Sequence, residues 1–556
     1  MNQEPLAEVQ EPMANPLFLD AVMRRRQFIT ALGLGVAAAP SFNLLSACSS
    51  FGTRKPVISL GGPRKRLSAD AFEAAPDGVK RGVFGYGGQL IGPTIRVKEG
   101  ERLNLTVENN LKVPTIIHWH GMHQPGTWKM DGVEGVSGPA IPAGESFTYD
   151  FTATPGGTHW YHSHAGVQYS DGLFGPLIVE EAKPIARYDR EHILLMNDWD
   201  HEWADQIWKR LSTEGMGAMG GGGMGGGAMG GGAMGAGGMG AGAMGGGMGG
   251  GMGGGMGGAT AEQPKPHFTK GLDQLLETQW GSPALDWGDV PFVSGLVNGK
   301  GRAAGKNTPL EQVLIRDGEV LRLRLINGGA TYSLRFQIDN HPLTVIASDG
   351  QPMKPVTVDN LVIGVGERYD VLIHGKGSGS HWIRATTGQH KTIKAVLRYG
   401  DKAPVEPAPS PETWGPALLL PTQMRSPKPV DLTNVPFREI DMLLEGPAPV
   451  YRWSVNGQYY PNTTPIKIGA NEMVRMRFRN PTNMEHPFHI HGHSFYILGG
   501  PDELNLVDPP YKDTVNIWPH SDLVIQWKAN NPGHWIFHCH VEWHFAGGMA
   551  SLLHIA

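Results

Sequence analysis

The sequence predicts an all-β protein of three β-sandwich domains, and a threefold internal repeat predicts it. Residues 95–109 read IRVKEGERLNLTVEN, residues 314–327 read LIRDGEVLRLRLIN and residues 466–480 read IKIGANEMVRMRFRN. Each is a short strand, a polar turn, a glutamate, an alternating strand and an asparagine. Glu101 and Asn109, Glu319 and Asn327, and Glu472 and Asn480 are each eight apart. In the last copy Val474, Met476 and Phe478 alternate with Arg475, Arg477 and Arg479, the period of two of a strand with one buried and one wet face. A second signature closes each unit: Gly157-Thr158-His159-Trp160-Tyr161, Ser380-His381-Trp382-Ile383-Arg384 and Gly533-His534-Trp535-Ile536-Phe537. Glycines and prolines between these runs suit sandwich turns, and helical periodicity is scarce.

Composition bounds the rest. With 556 residues the chain can hold several domains, and 18% charged against 40% hydrophobic residues suits a folded protein. A net charge of −5 without like-charge blocks argues against a nucleic-acid groove or a polybasic membrane patch. Two cysteines, Cys48 and Cys539, exclude a disulfide framework.

Residues 1–50 are read as a targeting segment. Arg25-Arg26-Gln27-Phe28 before the apolar run Ala31–Ala47 resembles a twin-arginine export signal, which implies a periplasmic protein. The run is too short and too interrupted by Gly33, Gly35 and Pro40 for a spanning helix. It ends in Leu45-Ser46-Ala47-Cys48, which resembles a lipoprotein cleavage box and would make Cys48 a lipid anchor. Cleavage after Ala37-Ala38-Ala39 is the alternative. The first domain is expected over 51–185, the second over 186–400, a proline-rich linker over 401–436 and the third domain over 437–556.

The second domain carries an insertion. Residues 215–258 hold 28 glycines, 10 methionines and 6 alanines and no charge. So much glycine cannot hold a helix, so a disordered loop is expected. Its methionines are Met216, Met219, Met224, Met229, Met234, Met239, Met244, Met248, Met252 and Met256. Thioethers are soft ligands that favour Cu(I), and a tether alone would not need residues so prone to oxidation.

The histidines sit at equivalent places in the repeat. Nine residues beyond Asn109 and Asn480 come His118-Trp119-His120 and His489-Ile490-His491. The closing signatures of domains one and three run into His162-Ser163-His164 and His538-Cys539-His540. In domain two the matching positions are Phe336-Gln337-Ile338 and Ala385-Thr386-Thr387. Residues i and i+2 of a strand share a face, so each pair can reach one cavity. Eight imidazoles at an interface of domains one and three imply two or three metal ions. Cys539 points to the opposite face of its strand. With His486, His544 and Met549 it makes the His₂Cys set with a weak axial methionine of a blue-copper site. A surface scatter of histidines, or a buried core cysteine, does not explain these matched positions.

The four motifs together resemble those of the three-domain multicopper oxidases, the family of laccases and copper-tolerance cuprous oxidases. The resemblance spans about residues 55–556 apart from the insertion. It implies cupredoxin-like Greek-key sandwiches and four copper ions. His486, Cys539, His544 and Met549 would hold a type 1 copper, and His118 and His489 a type 2 copper. His120, His162, His164, His491, His538 and His540 would hold a type 3 pair. Asp131 in Met130-Asp131-Gly132 and Glu542, three after Cys539, resemble the family's acidic residues beside the type 2 and type 3 coppers. The implied reaction passes single electrons from Cu(I), or from a small phenol or aromatic amine, to dioxygen. One departure is that Asn456-Gly457-Gln458 is followed by Tyr459-Tyr460-Pro461, where cuprous-oxidase relatives tend to have aspartate and methionine. Those tyrosines could wall an aromatic-substrate pocket. A laccase-like oxidase without a copper-handling role and a copper-sequestering protein are the alternatives. A monomer is expected.

Overall fold

The computed structural model describes residues 57–59, 65–215, 280, 288–447 and 450–556. The expected signal, Cys48 and all ten methionines of the insertion lie outside them. Among the described residues the architecture is nearly all-β, six sheets packed in pairs into three sandwiches. Domains two and three each repeat one five-stranded order, and domain one shares four strands of it. Domain two runs Gln312–Ile315, Thr392–Tyr399, Ser380–Thr386, Leu334–Ile338, Asn360–Ile363. Domain three runs Ile466–Ile468, Ala550–Ile555, Gly533–Cys539, His486–Ile490, Thr514–Ile517. Domain one runs Thr94–Lys98, Phe174–Glu180, Gly157–Ser163, Ile117–His120, with Val57–Ser59 added outside Thr94–Lys98.

The repeat residues do the same structural work three times. The Asn109 side chain donates to Val113 O and Ile141 O, that of Asn327 to Tyr332 O and Ile363 O, and that of Asn480 to Met484 O and Ile517 O. Each amide oxygen accepts the backbone N–H two residues on. This buried staple fixes the loop that feeds the histidine strand, and it satisfies main-chain groups that water cannot reach. The glutamates close the preceding turns: the Glu319 and Glu472 carboxylates accept Arg316 N–H at 2.8 Å and Gly469 N–H at 2.7 Å.

The expected alternation holds in domain three, where Val474, Met476 and Phe478 are buried and Arg479 is exposed. It fails in domain two, where Arg322 and Arg324 on the Val320–Asn327 strand are as buried as its leucines. Their face is an interface with domain one. Arg322 pairs with Glu181 and Asp370, and Arg324 donates to Glu191 Oε2 at 2.9 Å and Thr158 Oγ1 at 2.8 Å. A guanidinium can be buried when carboxylates meet its donors.

The stretch 401–436 is more than a linker. Leu418, Leu419, Met424 and Leu432 are buried, and Leu418 and Asp431 bridge Asn360 and Val507, so it straps domain two to domain three. The scarcity of helical pattern concealed two helices, Ala204–Glu214 and Glu542–Ala546. The first is amphipathic, with Ala204, Ile207 and Leu211 buried, and it ends at Gly215 where the insertion begins. The second is one turn long and carries His544. No helix among the described residues is long and apolar enough to cross a membrane.

Candidate metal centre

Pairing of the His486–Ile490 strand with Gly533–Cys539 brings Phe488 opposite Cys539 and His489 opposite His538. Alternate residues therefore face opposite ways, and two separate sites arise on the two sides of one strand. On one side the Cys539 Sγ lies 3.5 Å from His544 Nδ1 and 3.8 Å from His486 Nδ1, and the two nitrogens are 3.0 Å apart. All three residues are buried. The far nitrogen of His486 faces Thr482 Oγ1 at 2.9 Å, and that of His544 lies 3.2 Å from Asp289 Oδ2, which leaves each Nδ1 to the shared centre. Met549 is fully buried. Its N–H donates to His544 O, and its carbonyl accepts the Cys539 N–H, both at 3.0 Å. Burial pushes the Cys539 thiol up, with Asp289 and Glu485 adding to it, so a bound cation is what would make it a thiolate.

On the other side the eight paired histidines converge. Three groups of donor nitrogens form: His118, His120 and His489; His120, His162 and His540; His164, His491 and His538. The rings of His120 and His489, from domains one and three, stack at 3.7 Å, as do those of His118 and His491. The six histidines expected at a type 3 pair are thereby divided into two triads, which the sequence left undivided. Second partners select the inward nitrogen. The Nδ1 atoms of His118, His489, His162 and His538 lie 2.8–3.0 Å from the carbonyls of Asp131, Asp513, Ser163 and Cys539. Each carbonyl can only accept, so Nδ1 carries the proton and the Nε2 lone pair faces inward.

The Nε2 atoms of His118, His162, His164 and His489 are fully buried without a hydrogen-bond partner. Orphaned nitrogens in one enclosed space are costly unless a cation takes them, so the donor set fits bound metal. Burial, reinforced by the neighbouring imidazoles, holds His120, His162, His164, His491, His538 and His540 well below the usual histidine range, and therefore neutral and able to ligate. Imidazoles with a thiolate suit copper, and calcium or magnesium would want oxygen ligands.

Asp131 lies where the resemblance implied. Its Oδ2 is 2.8 Å from His491 Nδ1, and its Oδ1 is 3.2 Å from His118 Nδ1. Gly132 explains the tripeptide: a Cβ there would lie 1.7 Å from Ile117 O at a φ of +84°. Glu542 lines a cavity of about 10 Å³, room for one water-sized molecule, with His162, His164, His538 and His540. Burial raises Glu542 well above the usual range, opposed by a hydrogen bond from Ser170 and supported by the charges of Asp171 and Asp198.

Tyr459 and Tyr460 lie beside the turn before Met549, where the Tyr460 N–H donates to Gly548 O at 2.9 Å. Tyr460 stacks on Phe545 at 5.6 Å, and Tyr459 lies under the Arg452 guanidinium. The rings against His544 are Trp453 at 4.1 Å and Tyr451 at 6.4 Å. Sequence reasoning missed Thr482, Asp289, Asp513 and Thr514, which support ligands from outside the histidine motifs.

Models of the multicopper oxidase family match residues 69–184, 270–402 and 422–555. The chain is 28% identical to multicopper oxidase MmcO of Mycobacterium tuberculosis, covering 95% of this chain and 97% of that protein. It is 29% identical to laccase-2 of Botryotinia fuckeliana over 87% and 80%, and 26% identical to copper resistance protein A of Escherichia coli over 94% and 98%. Among solved structures, the laccase from Botrytis aclada superposes with a TM-score of 0.69 at 26% identity, over 90% of this chain and 88% of that one. Fet3p, described as a multicopper oxidase that functions in iron import, superposes with a TM-score of 0.71 at 22% identity over 88% and 90%, a likeness of fold.

Proposed function

The chain belongs to the multicopper oxidase family, and we propose that it couples oxidation of Cu(I), and of small phenols, to reduction of dioxygen to water in copper tolerance. The overall balance is four electrons and four protons per dioxygen, giving two waters. Copper, when bound, supplies one-electron exchange at the sulfur site and multi-electron reduction of dioxygen at the imidazole site.

The observation that carries this reading is the strand ending His538-Cys539-His540. Its cysteine points to His486 and His544, and each flanking histidine joins a different triad. Peptide bonds thus join the two sites by a short covalent run that no rearrangement is needed to make. His486, Cys539, His544 and Met549 would hold the type 1 ion, and His118 and His489 the type 2 ion. The triads would hold the type 3 pair. Asp131 orients His118 and His491, and Glu542, raised by burial, lines the cavity where a proton would be relayed. Asp289 is buried; its Oδ2 lies 3.2 Å from the outer nitrogen of His544 and accepts the Tyr451 hydroxyl, so this carboxylate orients the ligand.

The copper-handling part rests on the methionine tract and on relatives whose names include a copper resistance protein. The tract begins one residue beyond a helix whose Trp208 packs on Tyr451 near His544. Met216 to Met256 would gather Cu(I). Export by the twin-arginine route, with Cys48 as an anchor, would place the protein in the periplasm, and the chain would work as a monomer. The laccase-like reading without copper handling is favoured by the laccases among the relatives.

Oxygen uptake with Cu(I), Fe(II) and a phenol on one copper-loaded sample tests the reading. Deleting 215–258 should slow Cu(I) oxidation at low copper and leave phenol oxidation unchanged; equal rates on both would end the delivery role. Cys539→Ser should abolish the blue absorption and substrate oxidation together. Retained turnover would refute the assignment, and copper protection that survives the change would favour sequestration.

A further inference from the structure

Domain two has no metal-ligating histidine at its repeat-equivalent positions, yet its Gly364–Arg368 loop reaches the imidazole cluster. A Cβ on Gly366 would lie 2.9 Å from His540 Cδ2 and 3.1 Å from His120 Cε1, so the loop backbone rests on two triad rings. Arg368, fully buried, leaves this loop toward Asp513 of domain three. Its Nη1 and Nη2 donate to Asp513 Oδ1 and Oδ2 at 2.7 and 2.6 Å, a bidentate pair. Its Nε donates to Thr158 O of domain one at 3.1 Å. Asp349 accepts Arg368 N–H at 2.8 Å and Thr514 N–H at 3.1 Å, fixing both ends of the pair.

Asp513 Oδ1 is 3.4 Å from His120 Nε2 and 3.4 Å from His489 Nδ1. Thr514 Oγ1, which donates to Asp513 Oδ1 at 2.8 Å, is within 3.2 Å of the same two nitrogens. These rings are the stacked pair from domains one and three. One carboxylate and one hydroxyl thus take the outer Nε2 of His120, and they flank the outer Nδ1 of His489, which also faces the Asp513 carbonyl at 3.0 Å. That leaves His120 Nδ1 and His489 Nε2 facing inward. His120 is turned the opposite way from His489, and no spacing in its motif asks for that.

We propose that Arg368 and Asp513 are positioning residues: the copper-free domain, through this pair, fixes the orientation of His120 and His489 and so the copper occupancy where those rings meet. The inference rests on the reading that these histidines hold copper. A carboxylate tied down bidentately cannot swing away from the two rings, and lysine cannot reproduce the planar fork. Loss of such outer partners typically costs about 10–100-fold in metal affinity.

The test uses the full-length, copper-loaded chain with Asp513→Asn and Arg368→Lys, read by copper content, electron paramagnetic resonance and the thiolate-to-copper absorption. The type 1 signals lie across the strand and should stay full in both variants, as they require only the fold. Through His120 a new uncoupled resonance should appear, and through His489 the type 2 resonance should weaken or change its hyperfine splitting, with about 10–100-fold more free copper needed to restore both. An unchanged type 2 signal and copper dependence in Asp513→Asn would overturn the proposal. So would loss of type 1 and type 2 in equal proportion, which marks a purely structural pair. If Arg368→Lys does not fold, Asp513→Asn decides alone. An unsubstituted chain showing neither signal would instead refute the copper reading beneath it.

Discussion

Asp131→Ala should damage the two imidazoles it touches unequally. The His491 Nδ1 has the Asp131 Oδ2 as its partner at 2.8 Å, while His118 Nδ1 keeps the Asp131 backbone carbonyl at 3.0 Å when the carboxylate is gone. Truncation therefore strands one buried N–H fully and the other hardly at all. A buried unsatisfied donor costs about 1–3 kcal/mol. A lost outer partner of a metal ligand costs about 10–100-fold in affinity, or roughly 1.4–2.7 kcal/mol, so two separate lines of reasoning reach the same size. The loss should fall on the triad of His164, His491 and His538. Copper counting with paramagnetic resonance reads it: a coupled pair is silent, so weakening one member exposes its neighbour as a new signal. The type 1 spectrum serves as the folding control. Loss of the type 2 signal with the coupled pair intact would show that Asp131 acts chiefly through His118, and the reasoning from hydrogen-bond redundancy would be wrong.

The metal-free chain should become acid-labile. His120, His162, His164, His486, His491, His538 and His540 are held well below 6.5 by burial and by one another, so unfolding takes up protons there. With folded values depressed, stability is full above the unfolded value and falls as the pH drops below 6.5, by up to about 1.4 kcal/mol per pH unit for each histidine. Denaturant midpoints of the metal-free chain near pH 7.5 and pH 5.5 check this, and a flat profile would contradict it. Met549→Leu should raise the type 1 potential by removing the buried thioether donor; a redox titration of the blue absorption that moves the other way would sink that reading. Glu542→Gln should slow dioxygen turnover severalfold while anaerobic bleaching by substrate keeps its rate, because Glu542 faces the cavity lined by the triads; slowed bleaching would place its effect at the sulfur site instead.

The sequence by itself determined the sandwich repeat and the ligand types. Strand periodicity is local, and the asparagine staples and glutamate turn closures recur at fixed offsets because each fold unit needs them at the same bend. The ligand motifs are legible for the same reason: His-x-His and His-Cys-His place side chains by the two-residue period of one strand. Tertiary structure decided everything that depends on two strands meeting. It sorted six histidines into two triads, buried Arg322 and Arg324 at a domain interface where alternation foretold a wet face, and set Trp453 and Tyr451 against His544. It also brought Asp289, Asp513 and Arg368 to the ligands from elements far away in the chain. Such partners leave no periodic mark, because a hydrogen bond to an imidazole constrains a distance in space and not a spacing in sequence.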